Sequence, residues 1–143
     1  GAVGMLKKFV DKFNLPVVCS LLGKGSFNEE SQRFIGMIGS YGNRCANIAV
    51  ANVDLLIAIG TRLDTRQTGA MYDKFIREGV IVHVDIDSNE LEYHRIENRL
   101  KIKDDASDFI SKLLEYQINR NDELQNKWLS YLAELKHKYN QKA

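Results

Sequence analysis

Apolar residues in this chain fall into short runs separated by polar or glycine-containing stretches. "LPVVCSLL", "VDLLIAIG" and "VIVHVDID" are continuous rather than alternating, and turn-forming residues bound each. That pattern predicts buried strands near Val17–Cys19, Leu55–Ile59 and Ile81–Asp85, and "RLKIKDD" predicts a fourth near Leu100–Ile102. Helical spacing runs over Val3–Phe13, which Asn14 and Pro16 close, and over Asn43–Asn52, whose small residues suit close packing on a sheet. "MYDKFIREG" reads as a short helix stopped by Gly79. "SNELEYHR" reads as another, with Ser88 as N-cap and Leu91 as its apolar contact, and "ASDFISKLLEYQI" as an amphipathic one. "GKGSFNEES" is a loop in which Ser26 or Asn28 caps a turn, and the glycine-punctuated "RFIGMIGSYG" reads mostly as loop.

Strands that alternate with helices and are apolar throughout pair in parallel and are covered on both faces. The predicted fold class is therefore α/β, a doubly wound, mainly parallel sheet flanked by helices, Rossmann-like. An antiparallel sandwich would contradict it. Ligands of such sheets sit beyond the carboxyl ends of the strands. The stretch after the second of these strands, "GTRLDTRQTG", lies at such an end. Residues 119–143 differ: they are polar and helical, with Trp128, Leu129, Leu132, Leu135 and Tyr139 along one face. This segment reads as a packing helix or a connector to a further domain, which divides the chain into residues 1–118 and 119–143.

Composition narrows the classes. The 143 residues suit one domain with a real core, and the formal net charge is +1 with no basic block, against nucleic acid or an anionic membrane as the main partner. No apolar run approaches the ~20 residues of a membrane span, and "GAVGMLKKFV" has no signal-peptide pattern. Cys19 and Cys45 lie far apart without a CxxC, and read as reduced, partly buried thiols of a cytoplasmic protein. The three histidines are scattered, so no zinc site is expected.

Candidate chemistry concentrates after the strands. Arg62 and Arg66 follow Gly60, and a guanidinium fork matches phosphate oxygens; the two form either a diphosphate clamp or surface charge paired with Asp64 or another carboxylate. Asp85 ends a strand where dinucleotide folds place a ribose-binding acid, whereas Asp87 reads mainly as a cap. Asp104 and Asp105 read as a helix N-terminus. The glycines of "GKGSF" and "GMIGSYG" fit neither GxGxxG nor a P-loop, and serve turns of positive φ or a weak phosphate cradle. No nucleophile–base arrangement is legible.

Taken in order, "LPVVCSLLGKGSF", "IGMIGSYGNRCANIAVANVDLLIAIGTRLDTRQTG" and "VIVHVDIDSNEL" resemble the central domain of thiamine-diphosphate-dependent enzymes, closest to acetolactate (acetohydroxyacid) synthase, from Gly1 to about Tyr116. "WLSYLAELKHKY" loosely resembles the helical connector that follows this domain. The resemblance implies a parent chain of three α/β domains, a homodimer or homotetramer, that decarboxylates a 2-keto acid and transfers the carbanion equivalent as a transferase or lyase. Thiamine diphosphate and Mg2+ would be held by the flanking domains. The central domain would hold FAD, an ADP-like group or nothing, and this fragment alone would be inactive. The resemblance assigns Gly60, Arg62, Asp64 and Arg66 to the flavin's diphosphate and ribityl chain, Met37, Gly39 and Gly42 to the flavin's side, Asp85 to the adenosine ribose and Asp105 to adenine; no catalytic residue is assigned. Ser40–Tyr41, Leu63, Thr65 and Asp104 depart from the family pattern at flavin-lining positions, so a sister enzyme acting on another 2-keto acid fits equally well. The family domain opens with a strand and a glycine-rich turn, and "GAVG" resembles the end of that turn. This implies a sheet with a gap at an inner strand, or one that closes differently. The alternatives are a stand-alone NAD- or ADP-binding module and a structural domain with a vacant cofactor site.

Overall fold

A computed structural model describes residues 2–69, 75–92, 96, 99–117 and 120–139. The elements run α1 (Ala2–Phe13), β1 (Val17–Cys19), β2 (Phe34–Met37), α2 (Arg44–Asn52), β3 (Leu55–Ile59), α3 (Thr65–Thr68), β4 (Val80–Asp85), α4 (Ser88–Glu92), β5 (Arg99–Lys103), α5 (Ala106–Leu114) and α6 (Asp122–Tyr139). All pairings among these strands are parallel. They form two sheets, a two-stranded β1–β2 and a three-stranded β3–β4–β5.

The three-stranded sheet follows directly from its residue pattern. Leu56 and Ala58 of β3 and Ile81 of β4 turn to one face; Ile57, Ile59, Val82, Val84 and Ile102 turn to the other. The first face is covered by Cys45, Ala46, Ala49 and Val50 of α2 and by Leu132 of α6. The second is covered by Phe9 and Phe13 of α1 and by Phe109 and Ile110 of α5. Apolar side chains on both faces of β3 and β4 are what a doubly wound sheet needs, and they account for the continuous runs in the sequence. β5 is an outer strand, with Lys101 and Lys103 exposed along it. Charge on an outer strand discourages edge-to-edge pairing.

Helix ends are set by local chemistry. Asn14 closes α1 in the left-handed region (φ +52°), and the Leu15 amide donates to the Val10 carbonyl at 3.1 Å, a bond across the helix end that satisfies an orphan carbonyl. Asp105 caps α5: its Oδ1 accepts from the amides of Ser107 (2.8 Å) and Asp108 (3.2 Å). The Lys12 ammonium of α1 donates to the Leu114 carbonyl, which ties the two helices at the α5 C-terminus.

Four expectations are corrected. Phe34–Met37 is a strand rather than loop, because Gly36 adopts φ +147° and lies with its Cα hydrogens against Asn43, where a Cβ would come within 2.5 Å of Oδ1. Asp87, not Ser88, caps α4, with Oδ1 accepting from the Asn89 amide at 2.9 Å. Phe75–Glu78 form turns and bends rather than a helix end, while residues 71–74 of that expected helix lie outside the described residues. Cys19 (8% exposed) and Cys45 (0%) are buried rather than partly buried. The polar C-terminal segment is a helix that packs through Leu132, with Trp128, Leu135 and Tyr139 beside it, on the cluster shared by α2 and β2.

Candidate functional site

The loop after β3 is built by one strained residue and one open one. Gly60 leaves β3 at φ +65°, with nothing within 4 Å of the place a Cβ would occupy. Its amide donates to the Val84 carbonyl at 2.9 Å, which continues the β3–β4 ladder by one step. Leu63 then also adopts the left-handed region (φ +52°) and is 1% exposed. That conformation costs a non-glycine residue of order 1–3 kcal/mol, and full burial of a leucine returns about 1.5–3 kcal/mol. The buried leucine therefore anchors the loop and turns Arg62 and Asp64, on either side of it, out to solvent.

Arg62 is 71% exposed and its Nε lies 3.2 Å from Oε1 of Glu90 on α4. Asp64 stands at the N-terminus of α3: its Oδ1 accepts from the Gln67 amide (3.3 Å) and its carbonyl from the Thr68 amide (2.9 Å). Arg66 lies within α3, and its side chain is outside the described residues. Asp85 ends β4 half-buried, its Oδ1 accepting from the Asp87 amide at 2.9 Å, and its carbonyl accepts from the Asp104 amide at 3.2 Å. Since Ile59 pairs with Val84 and Asp85 with Lys103, the residues Gly60, Asp85 and Asp104 stand on the same carboxyl edge. Asp105 follows on that edge as the cap of α5. Asp104 bonds Lys112 at 2.8 Å, and that ammonium holds its carboxyl below the ordinary range.

The second group of candidates ends the other sheet. Met37 closes β2, and its amide donates to Asn43 Oδ1 at 2.8 Å while its carbonyl accepts from the Asn43 amide at 2.7 Å. Asn43 is the residue before α2, yet its side chain serves this turn instead of capping the helix. One helical turn on, Asn47 grips Gly39 by both backbone groups, accepting from its amide (2.9 Å) and donating to its carbonyl (3.0 Å). Gly42 is packed so closely that a Cβ would stand 2.2 Å from the Met37 carbonyl oxygen. Gly42 also lines a solvent-facing groove of about 320 Å3 with Arg44, Asn47 and Arg77.

Sequence reading passed over four of the residues that shape these loops: Asn43 and Asn47, which hold the β2 turn, and His83 and Arg99, which lie beneath the β3 loop. The signal for His83 was present, since a histidine inside "VIVHVDI" falls on an inward position of a fully buried strand. The asparagines sit four apart at a helix start, where both side chains hold the turn.

Parallel strands, helices on both faces and polar loops gathered at the carboxyl edge define a doubly wound α/β domain of the kind that presents loops to a ligand or a neighbouring domain. The family model "Thiamine pyrophosphate enzyme, central domain" matches residues 1–113, and the chain belongs to this family. It is 42% identical over 113 residues to the acetolactate synthase large subunit of Porphyra purpurea, a match that covers 79% of this chain and 19% of that one. It is 35% identical over 137 residues to the subunit of the same name from Cyanidium caldarium, covering 94% and 23%. It is 34% identical over 115 residues to the acetolactate synthase isozyme 3 large subunit of Escherichia coli (strain K12), covering 80% and 20%. The chain thus spans about a fifth of the length of these curated relatives.

Proposed function

We propose that this chain is the central, scaffold-forming domain of an acetolactate synthase-like enzyme that decarboxylates a 2-keto acid and transfers the carbanion equivalent. The carboxyl edge of β3–β5 would hold the diphosphate of a flavin or another ADP-containing group. The observation that carries this is the loop itself: an open Gly60, an anchored Leu63 and an outward Arg62, beside Asp85 at the end of the adjoining strand. These residues fit a diphosphate. The space beside Gly60 lets an oxygen approach the backbone. The Arg62 end of the Arg62–Glu90 pair is exposed, and pairs open to solvent are worth only ~0–1 kcal/mol, so the guanidinium can be given up to a phosphate at little cost. In this reading Arg62 and Arg66 donate to the diphosphate, Asp64 and Asp85 accept from ligand hydroxyls, Asp105 lies toward the adenine, and the Met37–Gly42 turn flanks the flavin. Thiamine diphosphate with Mg2+, held by the other domains of a homodimer or homotetramer, would supply the carbanion-stabilising chemistry. This chain contributes position and walls, and no acid, base or nucleophile.

The test is ADP and FAD titration of the full-length protein: Arg62→Ala should weaken binding by about fivefold or more, the loss of one charge-assisted contact. Equal affinity in the variant and the parent would overturn the assignment. A second reading, a structural domain with a vacant site, is favoured by the caps: Asp64 and Asp105 already spend carboxylate oxygens on helix N-termini. No flavin absorbance in purified full-length protein, together with no ADP binding, would establish it.

A further inference from the structure

Beneath the candidate loop lies a buried polar chain. His83, at the middle of β4, is 0% exposed, and its Nε2 lies 2.7 Å from the Thr61 carbonyl oxygen. Its Nδ1 meets the guanidinium of Arg99, itself 9% exposed. A carbonyl only accepts and a guanidinium only donates. Nε2 therefore carries the ring proton and donates to Thr61, while Nδ1 is bare and accepts from Arg99. Arg99 spends its other donors on carbonyls: Nη2 on Leu91 at 2.8 Å, near the end of α4, and Nε on Ile96.

One guanidinium thus touches both sides of the candidate site. Directly, it holds the last turn of α4, the helix that carries Glu90. Through His83, it holds Thr61, the residue between Gly60 and Arg62. Glu90 and Arg62 are the pair that meets at 3.2 Å on the surface above. A loop ordered from below in this way is preorganised, and its ligand need not meet the ordering cost at binding.

We propose that the buried His83–Arg99 couple is a positioning device: it locks the Thr61 carbonyl to α4, and so fixes the direction in which Arg62 is presented to an anionic ligand. The ligand part of this rests on the diphosphate reading above; the locking of the loop does not.

The test uses the full-length protein, with ADP as probe and amide hydrogen exchange of residues 60–64 as an independent readout. His83→Gln retains a donor for Thr61 and an acceptor for Arg99; His83→Phe fills the space and has neither. His83→Phe should speed exchange at residues 60–64 and weaken ADP binding by about fivefold, the worth of one hydrogen bond. His83→Gln should restore both to within about twofold. Arg99→Lys, which keeps the charge but not the fork, serves if His83→Phe does not fold, and should speed exchange at residues 60–64 and 88–92 together. Exchange that is the same in parent, His83→Phe and Arg99→Lys overturns the proposal, as does a His83→Gln protein no better than His83→Phe. If the parent binds neither ADP nor FAD, the diphosphate reading falls, and the exchange comparison alone decides the locking.

Discussion

The two sheets of this domain are held together by different means. β3, β4 and β5 pair over five successive positions at each junction, with apolar side chains on both faces and helices over both. β1 and β2 share only three pairs, with a register shift between Val17 and Val18. Side chains from the start of α2 do there what the ladder does in the larger sheet: Asn43 and Asn47 bond the backbone of Met37 and Gly39. Arg33, just before β2, reaches the Asn14 side chain and lies 3.5 Å from Asp11 of α1. A parallel ladder is cooperative and needs little help from individual polar groups. A short one is set by specific contacts and is correspondingly vulnerable at them. The candidate ligand loops divide the same way, since Gly60, Arg62 and Asp85 leave the regular sheet and Met37, Gly39 and Gly42 leave the clamped one.

The largest effect should come from the core that both sheets share. Ile81 on β4 (1% exposed) and Ile35 on β2 (4%) belong to one cluster. Truncation of Ile81 to alanine should cost ~2–5 kcal/mol in chemical denaturation, because a close-packed site refills poorly. The same change at Ile35 should cost less, near ~2 kcal/mol, since a short sheet held by side chains can relax around the void. A larger loss at Ile35 than at Ile81 would reverse the ranking of the two regions.

The same contrast decides what could be read from the sequence. β3 and β4 were legible because short, mainly apolar runs such as "LLIAI" and "VIVHV", bounded by turn formers, have few other uses in a chain of this composition. β2 was not legible: Gly36 interrupts it, and its conformation is imposed by Asn43, a contact made across a turn that no local pattern records. Of the candidate site, the loop's place at a strand's carboxyl end followed from fold class alone. Its shape did not, because it depends on Leu63 in a left-handed conformation and on a histidine and an arginine sixteen residues apart that meet only in three dimensions. The acidic residues illustrate the converse. Asp87 and Asp105 already read as helix starts in the sequence, and the hydrogen bonds to the amides of Asn89 and Ser107 show that each is a cap.

Two glycines give the next sharpest comparison. Gly42, in the clamped region, lacks room: an alanine Cβ would stand 2.2 Å from the Met37 oxygen and 2.7 Å from the Ile38 carbonyl carbon. Both are backbone atoms, so the turn must move, at a cost of about 1–3 kcal/mol. Gly60 has room but a left-handed φ, and alanine there should cost about 1–2 kcal/mol. The order should invert for ligand binding, with Gly60→Ala the more damaging to ADP affinity, since it fills the open space beside Arg62. Thermal midpoints and ADP titrations of the two full-length variants test both halves. A Gly60→Ala protein that binds ADP as the parent does would remove Gly60 from the site.

The smallest effect is electrostatic, and it separates the regions by solvent screening. At the end of the three-stranded sheet Asp104 bonds Lys112 at 2.8 Å; on α1, 3.5 Å from Arg33 before the two-stranded sheet, Asp11 bonds Lys7 at 2.7 Å. In each case the hydrogen bond from the lysine is the main cause that holds the carboxyl below its ordinary value. A folded-state value below the unfolded one means that the pair's contribution is complete above about pH 3.9 and is lost as pH falls through the lower, folded value. Lys112 is shifted the opposite way, upward, chiefly by the same bond, so its share is complete below about pH 10.4 and is lost as pH rises through the folded value. The Asp104 side chain is 16% exposed and that of Asp11 46%, and water screens the more exposed pair more strongly. Asp104→Asn should therefore flatten the fall of the thermal midpoint below about pH 4 more than Asp11→Asn does, with both variants close to the parent's slope between about pH 5 and pH 8. Thermal melts across that range in low salt check the ordering. If Asp11→Asn flattens the acid limb more, then the contacts around α1 and Arg33 carry more of the domain's stability than the regular sheet's end does.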